Sequence, residues 1–404
     1  MDETKKIKFS MITETNLKYA GGTERTILYY YKFCDKENLD VAVFQTNILD
    51  KEKITDKEII EKFELKNIYT FIYPQFLTNL LVDKKKGISK QEKTIKKDIF
   101  LAYSIFIKFI FANIINRKIS RKLFESDVLY ILSDYQLLYL ILPKKLLLRK
   151  KKPYVIFGTH NYLPIERRAI NRIENKLIEK FTYATHFTSK TIFDLSSVKR
   201  NTDFIINSGV DTSAFYPDTK KHEQIRYLFV GRLVAYKGIN ELLSAWKLFK
   251  NKDDCELHIV GTGELEQLIK EKATKNIIYH GQVSDNELSS IYRDCDVLVF
   301  PTYGIKHDEY FGLVVIEALA SGNYVIISNE MRGIFDYFES MGALEYVPLD
   351  PVQIAERMAN AYVKIKTLKQ NVLNVRAYIE ENYDWKSIAK KLSEKVKEIY
   401  YSKK

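Results

Sequence analysis

The densest chemistry in the chain lies in Asp308-Glu309-Tyr310-Phe311-Gly312-Leu313-Val314-Val315-Ile316-Glu317-Ala318-Leu319-Ala320-Ser321-Gly322. It follows an apolar strand signal at 297–300 and Pro301. Phe311-Gly312 reads as a helix start, with Leu313, Ile316 and Ala320 on the buried face and Gly322 as the stop. Free amides from Phe311 to Val314 would meet a sugar hydroxyl or a phosphate oxygen, while Glu309 stands above them as an acceptor. Two carboxylates at this spacing on one helix lie about 12 Å apart along its axis, beyond the roughly 5–9 Å of glycosidase pairs. Glu309 and Glu317 therefore have separate tasks. Glu317 interrupts an apolar stripe and needs a hydrogen-bonding partner there, which ribose hydroxyls would supply.

Two cations belong with this segment. Arg232 ends a strand signal at 227–231, and Lys237-Gly238 precedes the next helical pattern, so both project from the carboxyl edge of a sheet. A planar guanidinium beside a compact ammonium suits the neutralisation of a phosphate leaving group; taken alone, two such cations are more often solvated. Gly21-Gly22-Thr23 follows the first strand signal and opens a helix at 24–33, where amides and the positive dipole end suit a diphosphate, although a plain strand-to-helix turn explains it equally. Asp294-Cys295-Asp296 imitates a metal-binding D-x-D motif, but its place between a helix end at Tyr292 and the next strand favours a solvated Asp294 and a turn acceptor at Asp296. No metal and no cofactor are expected. Cys34, Cys255 and Cys295 are far apart, which indicates neither a zinc site nor disulfides.

The elements that must position these residues alternate between short β-branched or aromatic runs and longer helical patterns, the signature of parallel α/β sheets. Strands are expected at 7–13, 41–46, 68–73, 128–133, 154–159 and 204–207, and again at 226–231, 256–261, 277–281, 297–300, 324–328 and 345–348. A polar stretch at 211–224 reads as the linker. The 404 residues divide accordingly into residues 1–210 and 211–384, with a closing helix at about 385–404. Ligands of open parallel sheets sit beyond the strands' carboxyl ends, which places the expected site in an interdomain cleft.

The formal charge of +12 is one-sided: residues 1–200 carry 38 basic against 23 acidic groups, and 84–152 alone carry 18 against 5. Such an excess implies an anionic partner, a membrane surface being one candidate, unless it is simply a solvated face. The apolar window 99–115 is broken by Ser104, Lys108 and Asn113, short of the roughly 20 residues that span a bilayer. It reads as a helix that is buried or lies at an interface, with Arg117, Lys118, Arg121 and Lys122 following. The amino-terminal residues carry no secretory pattern, and a cytoplasmic protein, peripheral to the inner membrane face at most, is the expectation.

With these residues assembled, the chain resembles glycosyltransferase family 4, retaining enzymes of the GT-B fold with two Rossmann-like domains. The carriers are Ile206-Asn207-Ser208-Gly209-Val210-Asp211, Leu228-Phe229-Val230-Gly231-Arg232-Leu233 with Lys237-Gly238, Ile259-Val260-Gly261-Thr262-Gly263, His280-Gly281-Gln282-Val283, and the segment of Glu309 and Glu317. The resemblance implies that Arg232 and Lys237 bind a donor diphosphate and that Gly21 and Gly22 close its site. Gly263 and Val283 would lie near the base, Glu317 would take the ribose, and Glu309 with Tyr310, Phe311, Gly312 and Leu313 the transferred sugar. His160, a single histidine that would otherwise read as structural, resembles the family's histidine near sugar and acceptor. Asp384-Trp385 and the final helix resemble the family's segment that returns to the first domain.

The expected activity is transfer of a sugar, without metal, from a nucleotide diphosphate sugar (UDP- or GDP-linked) to a glycan, lipid-linked or glycoconjugate acceptor. Same-face attack with retention is favoured, because no residue is placed as a covalent nucleophile. Two other classes compete: an epimerase or phosphorylase on the same twin-domain fold, and a non-catalytic membrane or nucleic-acid scaffold. The glutamate spacing disfavours the first. No aromatic platforms interleave with the cations, so no nucleic acid is expected.

Overall fold

Thirteen strands in two all-parallel sheets organise the described residues of the computed structural model, which are 5–13, 22–48, 57–73, 116–132, 153–159, 169–197, 199–218, 224–304, 312–368 and 371–402. Two compact units result, Met1–Ile206 with Ile388–Lys404, and Asn207–Ser387.

The first unit contains β1 (Ile7–Thr13), β2 (Leu39–Ile48), β3 (Ile68–Tyr73), β4 (Val128–Leu132), β5 (Tyr154–Thr159), β6 (Ala184–Phe187) and β7 (Phe204–Ile205), in the order β3-β2-β1-β4-β5-β6-β7. The second contains β8 (Ile225–Val230), β9 (Cys255–Val260), β10 (Ile277–Gly281), β11 (Val297–Phe300), β12 (Tyr324–Ser328) and β13 (Leu344–Val347), in the order β10-β9-β8-β11-β12-β13. β4, β11 and β12 are buried at every residue. Helices cover both faces of a parallel sheet, so its strands are continuous apolar runs such as Val297-Leu298-Val299-Phe300.

The expected strands recur with shifts of one or two residues at their ends, but β6 carries no strand signal in the sequence. Its Thr185-His186 centre reads as polar, yet His186 is fully buried: Tyr130 Oη lies 2.7 Å from its Nδ1 and Ile206 O 2.8 Å from its Nε2. The backbone carbonyl can only accept, so Nε2 carries the proton and Tyr130 donates to Nδ1. Satisfied in this way, a polar residue can occupy a core strand. Burial holds its pKa down at about 4.

Apolar residues on the two faces of the second sheet build two cores. One joins Tyr227, Phe229 and Trp246; the other joins Phe300, Val315, Ile316 and Tyr292. Residues 211–217, read as linker, are fastened to this unit: Arg293 Nη1 donates to Ala214 O at 3.0 Å, and Arg376 donates to the carbonyls of Thr212, Phe215 and Ala320. At the other end, Val210 and Asp384 form a parallel bridge. The helix Trp385–Tyr401 begins there and, from Ile388, belongs to the first unit, where Lys397 Nζ reaches Asp35 at 2.9 Å. No helix among the described residues is long and apolar enough to cross a membrane; the window 99–115 lies outside them.

Candidate functional site

Two loops leave the second sheet side by side, because the chain runs from β8 outward to β9 and β10 and then returns to β11 on the other flank of β8. Such a switch point is where open parallel sheets place ligands. Arg232, exposed, follows β8, and Lys237 closes the 3-10 turn Ala235–Lys237. Gly238 has φ +74°, and a Cβ there would lie 1.7 Å from Pro301 O, so the loop after β8 rests directly on the loop after β11. Tyr303 N donates to Tyr236 O at 2.9 Å across the same seam. Gly263 joins from the loop after β9: Leu233 N donates to Thr262 O and Leu265 N to Leu233 O, both at 2.9 Å.

Lys237 is half-buried, its Nζ 5.4 Å from the centre of the Phe300 ring and 5.8 Å from that of Tyr236. Burial, with the Arg232 cation adding to it, pushes its pKa down to about 8. Gly312, left-handed at φ +65°, precedes the helix Leu313–Ala320, and a Cβ on it would sit 3.3 Å from Phe300 Cε1. The Phe300 ring thus carries a cation over its face and a helix start at its rim. Both attract an anion.

Glu317 is half-buried on that helix, and Tyr292 Oη donates to its Oε2 at 3.0 Å. Tyr292, fully buried on the helix Asp285–Asp294, also lies 3.3 Å from Val314 O. Burial and the Glu317 charge push its hydroxyl well above its ordinary pKa, which keeps it a donor. Leu313 is only half-buried, against expectation, because Val315, Ala318 and Leu319 take the inner face with Ile316 and Ala320. Gly322 follows the helix end at φ +80°, in the left-handed conformation of a helix stop.

The Asp294-Cys295-Asp296 segment begins inside a helix that runs to Asp294, two residues past the expected end. Asp296 Oδ2 accepts from Arg226 N at 2.9 Å and so ties β8 to β11. Among the described residues, no three His, Cys, Asp or Glu side chains gather as a metal site.

Val283 follows β10, at the far edge of the sheet, and lines an open hollow of about 480 Å³ with His280, Asn286 and Ser290. A polar chain leads to it. Arg226 Nε is 2.8 Å from Glu256, His258 Nε2 is 3.1 Å from Glu256, and His258 Nδ1 is 3.0 Å from His280 Nε2. Gly22 is the first residue of the helix Gly22–Phe33 after β1. Gly21, His160, Glu309, Tyr310 and Phe311 lie outside the described residues. Tyr292 carries no signal in sequence, where a tyrosine near a helix end before a strand is indistinguishable from core.

Residues 213–370 match the family model described as glycosyl transferases group 1. This segment contains Arg232, Lys237, Gly263, Val283, Gly312, Leu313 and Glu317. A phosphatidyl-myo-inositol mannosyltransferase of Mycobacterium tuberculosis is 31% identical over 207 residues, 46% of this chain and 52% of the relative. The chain spans about half the length of the curated relatives it matches. Among solved structures, the sucrose-phosphate synthase of Thermosynechococcus elongatus superposes with a TM-score of 0.74 at 17% identity, over 98% of this chain and 100% of that one. HepE of Anabaena, in complex with UDP and glucose, superposes with a TM-score of 0.68 at 16% identity, over 97% and 99%. Two parallel-sheet α/β units on these templates make the fold GT-B.

Proposed function

We propose that the chain is a retaining hexosyltransferase of the family 4 type, moving a sugar from a nucleotide diphosphate sugar to a glycan, lipid-linked or glycoconjugate acceptor. The observation that carries this reading is the meeting of Lys237 and the Gly312 helix start on one Phe300 ring, beside Arg232 and at the sheet's switch point. Cations and helix-start amides stabilise charge as it develops on a departing diphosphate, without a metal ion. The UDP complex of HepE supports a nucleotide sugar as donor, and the mannosyltransferase relative supports sugar transfer. In this reading Glu317 binds the ribose, Glu309 and His160 serve the transferred sugar, and a donor phosphate oxygen takes the acceptor proton.

The acceptor reading rests on charge. Arg117, Lys118, Arg121 and Lys122 are all exposed on the helix Arg117–Phe124, which buries Ser120 and Leu123. Such a face suits an anionic membrane surface and a cytoplasmic, peripheral enzyme. The test is transfer from radiolabelled UDP- and GDP-sugars to membrane extracts. Undiminished transfer by Lys237→Ala and by Glu309→Ala sinks the site.

A further inference from the structure

We infer that Tyr292 is a positioning residue for Glu317, and through it sets how strongly the site distinguishes a ribonucleotide from its 2′-deoxy counterpart. This rests on the ribose reading of Glu317. A glutamate side chain on a helix surface has three rotatable bonds, and a carboxylate that must meet a diol gains from having its orientation set before the ligand arrives. Tyr292 sets it here, with its single O–H directed to Oε2 at 3.0 Å.

Tyr292 is itself held on every side. Phe215 meets its ring edge-on at 5.5 Å between centroids, its own carbonyl accepts from Asn323 Nδ2 at 2.9 Å, and the same amide donates to Cys295 O at 2.6 Å. The helix Asp285–Asp294 that bears it is fixed at its start by a reciprocal Ser284–Glu287 capping box. The hydroxyl therefore comes from a rigid frame, unlike a donor on a loop. A phenol held neutral by burial donates across the whole working pH range, so the orientation does not depend on pH.

Tyr292→Phe removes only the oxygen and keeps the ring against Phe215. The measurement is the affinity ratio of UDP to 2′-deoxy-UDP, and of GDP to 2′-deoxy-GDP, by calorimetry for wild type, Tyr292→Phe, Glu317→Ala and the double variant. Loss of a hydrogen bond to a charged group predicts that Tyr292→Phe shrinks the ratio about tenfold, with a near-unchanged melting temperature, and that the double variant loses no more than Glu317→Ala alone. A ratio kept by Tyr292→Phe but abolished by Glu317→Ala overturns the positioning role. A ratio kept by Glu317→Ala as well overturns the ribose reading and the inference with it. If Tyr292→Phe melts far below wild type, the ratio is measured at a temperature where this variant stays folded, and a value equal to wild type there overturns the inference.

Discussion

The ammonium of Lys237 stands 5.4 Å from the centre of the Phe300 ring. An aromatic face attracts a cation but hydrates it poorly, so the position holds a charge ready for an anion while making that charge easy to lose. Three measurements bear on this and two other placements.

The first is pH dependence. Lys237 has its pKa lowered from 10.5 to about 8 in the folded chain. Between these values the unfolded chain keeps a proton that the folded chain has released, so this group's contribution to stability rises with pH there. Ligand affinity moves the other way. Nucleoside diphosphate binding is expected to weaken above pH 8 by up to about tenfold per unit, and Lys237→Arg is expected to flatten the profile. Calorimetric titration of UDP and GDP from pH 7 to 9.5 checks it; a flat wild-type profile contradicts the role given to this ammonium.

The second concerns Gly238, where a Cβ would collide with Pro301 O at 1.7 Å in a left-handed backbone. Gly342 shares the conformation, φ +69°, but its nearest neighbour would be Asn371 Nδ2 at 3.7 Å. Gly342→Ala therefore measures backbone strain alone, about 1 kcal/mol. Gly238→Ala adds the collision, and is expected to cost at least about 2 kcal/mol and to abolish the melting shift produced by UDP or GDP. Equal denaturation midpoints for the two variants would show that the loops after β8 and β11 do not lean on each other.

The third lies in the first unit. His186 is kept neutral by burial, with its pKa lowered from 6.5 to about 4. Below pH 6.5 the unfolded chain takes up a proton that the folded chain refuses, so stability is lost as pH falls from 6.5 toward 4. The loss is about 3 kcal/mol at most. His186→Gln lacks this titration, and its melting temperature is expected to fall less between pH 7 and 4.5 than that of wild type. Parallel falls would place the acid sensitivity elsewhere.

Much of this was written in the order of residue types. Apolar runs such as Tyr324-Val325-Ile326-Ile327 are continuous because both faces of a parallel sheet are covered, and that continuity is local enough to be seen without coordinates. Glycines with a cation beside them, as in Lys237-Gly238, likewise mark a backbone conformation and a charge in one stretch of chain. The β8 and β11 loops were expected at one sheet edge for the same reason, since strand ends are visible in the sequence.

What the tertiary structure alone decided is which distant groups satisfy which. Glu317 needed a partner by its place in an apolar stripe, but a tyrosine hydroxyl and a ligand hydroxyl are equivalent to that requirement, and only packing brought Tyr292 there. β6 carries no signal in the sequence because His186 reads as polar until Tyr130 and the Ile206 carbonyl meet it. Asp296 reads as an acceptor for its own turn, but the group it accepts from is Arg226 N, on a strand distant in sequence. Apolar burial is a property of each residue and its near neighbours and can be read along the chain. Hydrogen-bond satisfaction is a property of pairs, and in a sheet of reordered strands those pairs lie far apart in sequence.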